Sequence, residues 1–335
     1  MTTQTLTSAR AQPRLRREEG DTLHERKPGP VSLQKKGEEK HVSVMVAEAL
    51  SLLDLHKGDI VVDATFGVGG HSEAILKTSG VKLIALDADP EAVLAGQEKL
   101  KKFGARAAVV NANFSDLEIV LHRGGVEHIN KALFDLGWNR GQLMSGRGFS
   151  FLRDEPLNMS YGKKPASGFT AAEILNTWEE KVIADVLFGY GEERYARPIA
   201  KAIVARRETK PFATTIELAE TIKDAVPGSY RHGRIHPATK SFQALRIAVN
   251  DELGVVKQGL AAAWKALVPG GRIVVITFHS IEDRLVKRTF VALAKGGEGV
   301  LLTKKPLIAS RAETSSNPSA RSAKMRAIEK ASVTN

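Results

Sequence analysis

The sequence predicts an α/β protein, an open and mainly parallel sheet flanked by helices and interrupted by an inserted helical subdomain. Three observations carry this reading. The apolar stretch Gly58 to Asp63 runs straight into an acid and then a glycine-rich turn, Phe66-Gly-Val-Gly-Gly-His71. Three further apolar stretches follow at helix-sized intervals, each with polar residues at its end. A long region of helical pattern then separates this half from another apolar strand, Arg272 to Phe278.

The first strand and its turn have the form of a nucleoside pocket. Glycines let the backbone approach a ligand and adopt positive φ, and a helix starting near Ser72 would direct its positive end into the pocket. His71 is read as lining that pocket, although a buried, satisfied histidine would give the same sequence. The second strand, Val81 to Asp89, again ends in acid, at the separation where a carboxylate accepts hydrogen bonds from ribose hydroxyls. Asp89-Pro90-Glu91 resembles a capped helix start, which leaves Asp87 as the ribose candidate. The third stretch, Ala105 to Val110, leads into Asn111, Asn113 and Phe114, and the fourth, Ala132 to Gly137, carries Asp135. Polar residues at four successive strand ends point to a ligand, because open α/β sheets bind ligands outside the carboxyl ends of their strands.

The turn's glycine spacing departs from Gly-x-Gly-x-x-Gly, and an acid, Asp63, precedes it. That pattern favours S-adenosylmethionine, whose amino-acid tail carries both charges, over a dinucleotide pyrophosphate.

The helical region is too long for one crossover, so residues 149–235 are read as an inserted subdomain that recognises substrate. Capping boxes are expected at Thr170/Glu173, Thr177/Glu180 and Thr214/Glu217, and Pro237 is expected to start the helix that returns the chain to the sheet. The stripe Ile174, Leu175, Trp178, Val182, Ile183 and Val186 reads as core. After the last strand, Ser280 with Asp283 forms a potential capping box, beside a substrate role for Phe278-His279-Ser280. The sheet domain is thus assigned to residues 41–148 and 236–310, and residues 311–335 to a basic tail.

Composition fits a nucleic-acid enzyme. The 335 residues include 49 basic and 38 acidic side chains, for a net charge of +11. Arg284 to Asn335 alone holds 11 Lys or Arg against 3 Glu, a net +8 that would be drawn to phosphates. No cysteine is present, which excludes disulfides and thiolate metal sites, and no metal is expected. No apolar run approaches the roughly 18 residues of a membrane span. Residues 1–40 mix Arg, Glu, Pro and Gly without periodicity and read as a disordered arm. They lack a signal peptide's apolar core, and Glu18, Glu19 and Asp21 argue against a transit peptide. A cytoplasmic protein is the expectation.

Several separate motifs together resemble one family in the same order. They are His41-Val-Ser-Val, Asp63-Ala-Thr-Phe-Gly-Val-Gly-Gly-His-Ser72, Arg147-Gly-Phe-Ser-Phe151, Tyr190-Gly-Glu-Glu-Arg194, His236 to Arg246, Phe278-His-Ser-Ile-Glu-Asp283 and Asn317 to Arg326. The chain resembles the MraW/RsmH family of small-subunit ribosomal RNA (cytosine-N4)-methyltransferases. The resemblance implies a Rossmann-like class I SAM-dependent methyltransferase sheet, S-adenosyl-L-methionine as cofactor, and 16S rRNA of the small ribosomal subunit as partner, with the target a cytosine of the decoding centre. It implies that Gly69, Gly70, His71, Asp87, Phe114, Asp135 and Gln142 line the cofactor, and that Arg194, Arg246 and His279 meet the RNA. A homodimer stays open.

Three departures from the family pattern matter. Asp135-Leu-Gly is followed by Trp138-Asn139-Arg140-Gly141-Gln142 instead of Val-Ser-Ser-Pro-Gln, Pro156-Leu-Asn158-Met-Ser-Tyr161-Gly replaces Pro-Leu-Asp-Met-Arg-Met-Asp, and Ser43 replaces a proline. The first two lie where the target base should enter.

The implied chemistry is in-line methyl transfer to an exocyclic amine whose lone pair is delocalised into the ring. Holding nitrogen and methyl carbon about 3 to 3.5 Å apart supplies much of the acceleration, and an acceptor on the amine localises its lone pair. Asp135 and Asn139 are the candidate acceptors, and Trp138 and Phe149 the candidates for stacking an extruded base. The residues alone leave two alternatives open, an NAD-dependent oxidoreductase and a non-catalytic ribosome-assembly factor that keeps the cofactor fold.

Overall fold

The computed structural model describes residues 42–137, 145–162 and 164–332. The readings placed on residues 1–40, His41, Trp138, Asn139, Arg140, Gly141 and Gln142 lie outside them.

The first half alternates as expected. The elements are α1 (Val46–Leu53), β1 (Ile60–Asp63), α2 (Gly70–Leu76), β2 (Lys82–Asp87), α3 (Pro90–Leu100), β3 (Ala107–Asn111), α4 (Leu117–Arg123) and β4 (Ile129–Asp135). β1, β2, β3 and β4 pair in parallel, and β4 pairs in parallel with β5 (Leu267–Thr277). Strands buried on both faces read as continuous apolar runs, which is why these were legible.

Beyond β5 the sheet turns antiparallel. β8 (Lys324–Lys330) lies between β5 and β6 (Gly299–Leu301), and β7 (Leu307–Ile308) pairs with β8, for an order β3-β2-β1-β4-β5-β8-β6. The basic tail expected over residues 311–335 is therefore corrected, since its centre is an interior strand with Met325, Ala327 and Ile328 in the core. The strand's own basic residues are occupied within the fold. Arg326 forks onto Asp283 at 2.7 and 3.1 Å, and Lys330 donates to the carbonyls of Trp264 and Leu267.

One face of the sheet packs Met45, Leu53, Ile75 and Leu76 from α1, α2 and the segment before them. The other packs Leu117 and Leu121 of α4, Leu260 of α11 (Glu252–Ala266) and Phe290 of α12 (Ser280–Lys295).

The inserted helices are α5 (Ala171–Thr177), α6 (Glu180–Gly191), α7 (Ala196–Arg207), α8 (Thr215–Ala225) and the short α9 (Gly228–Arg231), followed by α10 (Thr239–Asn250). They share a separate core in which Ile174, Leu175 and Ile183 are buried, Trp178 and Val186 pack on it, and Val182 remains exposed. This core reaches past residue 235, because Phe242, Leu245 and Val249 of α10 belong to it. α10 begins at Thr239 with Ala238 as its cap, two residues after the Pro237 start.

Capping boxes form at Thr170/Glu173 and Thr214/Glu217. At Thr177 none forms, because its hydroxyl is turned back to the Glu173 carbonyl at 2.7 Å. The short helix α13 (Arg311–Ser316) ties the start of the described chain to its end, with Glu313 accepting the Met45 amide at 2.6 Å. Among the described residues no helix is long and apolar enough to cross a membrane.

Candidate cofactor and target site

The carboxyl ends of β1, β2, β3 and β4 form one rim. Asp63 ends β1 fully buried, with one carboxylate oxygen accepting the Ser72 hydroxyl at 2.6 Å and the other the Thr65 amide at 3.2 Å. The acid thereby clamps strand, turn and α2 together. Burial raises its pKa to about 6, and His71 and the Ser72 hydrogen bond hold that rise back.

Gly69 caps α2 at φ 74, a left-handed angle that glycine adopts without cost. A Cβ on Gly70 would stand 2.1 Å from Ser43 Oγ, so this glycine admits the N-terminal segment against the turn. The departure at Ser43 thus packs directly on the glycine-rich motif.

Asp87 ends β2, and its two oxygens accept the amides of Gly67 and Asp89 at 2.8 and 2.9 Å. These bonds lock the carboxylate in place at the rim while each oxygen keeps a lone pair for a further donor. Burial raises its pKa. Asp89 caps α3 through the Glu91 amide, as the sequence suggested. Phe114 follows β3, its ring edge-on to Phe134 with centroids 5.7 Å apart, half-buried at the rim.

Asp135 ends β4 with its amide donating to Thr65 Oγ1 at 2.6 Å. Its Oδ1 is buried without a partner, and its Oδ2 lies 3.6 Å from His71 Nδ1. Burial raises the carboxyl's pKa to about 7, opposed by the Gly137 amide and reinforced by Glu282. His71 Nε2 stands 2.9 Å from the Val44 carbonyl. A carbonyl only accepts, so Nε2 carries the proton and Nδ1 turns its lone pair toward Asp135. Burial lowers the pKa of His71.

A second cluster adjoins the ends of β4 and β5. Donor atoms of Glu252, His279 and Glu282 lie within 4.8 Å of one another. Glu252 is committed: Arg246 forks onto it at 2.8 and 3.0 Å, and the Tyr161 hydroxyl donates to it at 2.8 Å. His279 caps α12, its Nδ1 accepting the Glu282 amide at 3.3 Å. That bond places the neutral ring's proton on Nε2, so the imidazole has no lone pair for an ion despite the metal-like spacing. Ser280, read as the cap, instead donates to Glu192 at 2.6 Å, and Arg284 pairs with the same carboxylate.

The structure therefore gathers Gly69, Gly70, His71, Asp87, Phe114 and Asp135 on one rim, with His279 at the neighbouring strand end. It separates the two arginines. Arg194 is exposed, its guanidinium over the rings of Tyr195 and Tyr230 at 4.8 and 4.7 Å. Arg246 is buried in the Glu252 pair, so the RNA contact expected of it is replaced by an internal role. Sequence reading missed Thr65, Tyr161, Glu252 and Glu282. Glu282 stood inside a motif already singled out, but nothing local distinguishes a buried carboxylate from one on a solvated helix face.

The family profile of the MraW methylases matches residues 38–331. The ribosomal RNA small subunit methyltransferase H of Carboxydothermus hydrogenoformans is 45% identical over 308 residues, covering 87% of this chain and 98% of that protein. Its counterpart in Geotalea daltonii is 44% identical over 309 residues, covering 87% and 98%. An rRNA methylase structure from Streptococcus thermophilus covers 87% of this chain and 99% of its own at 12% identity and a TM-score of 0.42, too remote to add to the fold described above. The glycine turn is thus a methylase's and not a dinucleotide oxidoreductase's, and the chain belongs to the MraW methylase family.

Proposed function

We propose that this chain transfers a methyl group from S-adenosyl-L-methionine to the exocyclic N4 of a cytosine in 16S rRNA of the small ribosomal subunit. The observation that carries the reading is the buried, unpartnered Oδ1 of Asp135 at the rim where cofactor and target would meet. A buried acceptor without a donor costs free energy, and an amine N–H entering the site satisfies it.

The rim residues fit the cofactor. Asp87, held by two backbone amides, accepts the ribose hydroxyls, and Phe114 offers an apolar face to the adenine. Gly69, Gly70 and His71, with Asp63 behind them, border the amino-acid tail. When bound, the cofactor supplies a methyl group on a positively charged sulfur. Asp135 accepts the amine's hydrogen bond, draws the nitrogen lone pair out of the ring, and takes the released proton. A carboxyl with a pKa of about 7 suits that exchange near neutral pH. Asn139 and Gln142 keep the roles their positions suggest, second acceptor and cofactor contact, on sequence grounds alone. Arg194, exposed with its guanidinium near the rings of Tyr195 and Tyr230, is the cation we assign to phosphate or base contact.

Nucleoside analysis of small-subunit rRNA from cells with and without this gene tests the proposal. N4-methylcytidine should disappear with the gene. An unchanged nucleoside profile would refute it and favour a non-catalytic assembly factor.

A further inference from the structure

His279 Nε2 is, with Asp135 Oδ1, one of three described side-chain polar atoms that are buried without a hydrogen-bond partner. The two belong to adjacent strand ends: the Leu136 amide donates to the Ile276 carbonyl at 3.0 Å, and the Phe278 ring packs on Gly137. Glu282 acts electrostatically on Asp135 and has an oxygen 2.9 Å from His279 Nε2, close enough to attract the ring N–H yet not aligned to accept it. The same Glu282 carboxylate is held by the Phe278 amide at 3.0 Å, which restrains it from swinging into line.

The direction of the unused bond is settled by the cap. The backbone N–H of Glu282 can only donate, so Nδ1 accepts and the neutral ring presents Nε2–H. One orphan is thus a donor and the other an acceptor. A cytosine edge carries the complement, an amine that donates and, beside it, a ring nitrogen, N3, that accepts. Uracil carries the reverse order, an oxygen against the carboxylate and an N3–H against the histidine.

We propose that His279 is a specificity-determining residue: its Nε2–H donates to N3 of the target cytosine while Asp135 accepts the adjacent amine. This rests on the cytosine reading above. The helix cap that fixes the tautomer is then part of base selection, because a proton on Nδ1 would abolish both the cap and the donor. Sites that hydrogen-bond a substrate group discriminate strongly against an analogue lacking it, since their own buried group is left unpaired.

The test compares small subunits carrying cytidine or 3-deazacytidine, in which N3 becomes C–H, at the methylated position. The wild-type chain should methylate the deaza target at least about tenfold less efficiently in kcat/KM, the effect of one lost hydrogen bond. His279→Ser keeps a capping side chain but no donor that reaches, so it should treat both targets alike at a reduced rate with unchanged affinity for S-adenosylhomocysteine. Nitrogen-15 NMR of wild-type protein labelled on histidine should show the His279 proton on Nε2. Equal wild-type rates on the two targets, discrimination retained by His279→Ser, or a proton on Nδ1 would each overturn the inference while leaving cytosine methylation intact. Failure to methylate either target would overturn the functional reading beneath it.

Discussion

Replacing Asp135 with Asn should make the protein more stable and inactive at once. The native carboxyl has one oxygen with no partner and the other 3.6 Å from a histidine nitrogen, beyond hydrogen-bond range. The Gly137 amide compensates its ionised form only in part, and burial moves its pKa from 3.8 to about 7. The sign follows from linkage. A carboxyl raised in the folded state contributes nothing adverse below its unfolded value, and stability is lost progressively as pH rises from about 4 to about 7, then stays level. At 1.36 kcal/mol per decade, the full penalty is up to about 4 kcal/mol. Asn keeps the shape and escapes the charge. In urea unfolding followed by circular dichroism, the advantage of Asp135→Asn over the parent should widen by about 2 to 3 kcal/mol between pH 5 and pH 8. At 2–4 °C per kcal/mol, that is a further rise in Tm of roughly 5 to 10 °C. Methyl transfer should fall at least about a hundredfold, the loss typical of one proton-accepting group. A pH-independent stability difference, or a variant less stable than its parent at pH 8, would refute the account of Asp135 as an undercompensated buried acid.

Other outcomes follow from the same geometry. Asp87→Ala removes the proposed ribose acceptor and frees the Gly67 and Asp89 amides, so calorimetry should show S-adenosylhomocysteine affinity falling at least about tenfold while RNA affinity is retained. Arg246→Met leaves Glu252 buried and short of its partner and should lower the unfolding free energy by about 3 to 5 kcal/mol, whereas Arg194→Ala should leave Tm alone and reduce both RNA affinity and its salt slope. Gly96→Ala would ordinarily favour a helix, but here a Cβ would meet the Phe66 ring at 2.4 Å, so thermal unfolding should show a loss of about 1 to 3 kcal/mol. Removing residues 311–335 deletes β8 and should yield no cooperatively folded protein by circular dichroism, where loss of a mere tail would change only the salt dependence of RNA binding.

The parallel half of the sheet was legible because buried strands are apolar throughout and their ends are marked by Asp63, Asp87, Asn111 and Asp135. β8 was not. Its sequence, Lys-Met-Arg-Ala-Ile-Glu-Lys, looks solvated, and only the fold shows that Arg326 meets the buried Asp283. Arg246 misled for the same reason, since an arginine's partner six residues along the chain, across the junction of α10 and α11, is no stronger a local signal than an RNA phosphate. The cap of α12 went to His279 instead of Ser280 because the chain turns into the helix one residue earlier, with His279 still extended at φ −136. Gly69, Gly70, His71, Asp87, Phe114 and Asp135, all named from the sequence, do lie at neighbouring strand ends. Tyr161, Glu252 and Glu282 were not named, because they come from three separated segments that only tertiary folding brings to one pocket.

The most direct measurement gives the purified chain methyl-labelled S-adenosylmethionine and small ribosomal subunits from cells lacking its gene, then digests the RNA and locates the label by mass spectrometry. The label should sit on the exocyclic nitrogen of a cytidine, and Asp135→Asn should label it at least about a hundredfold more slowly. Label on carbon 5, on a ribose hydroxyl or on no nucleoside would contradict the claim that Asp135 receives a cytosine amine.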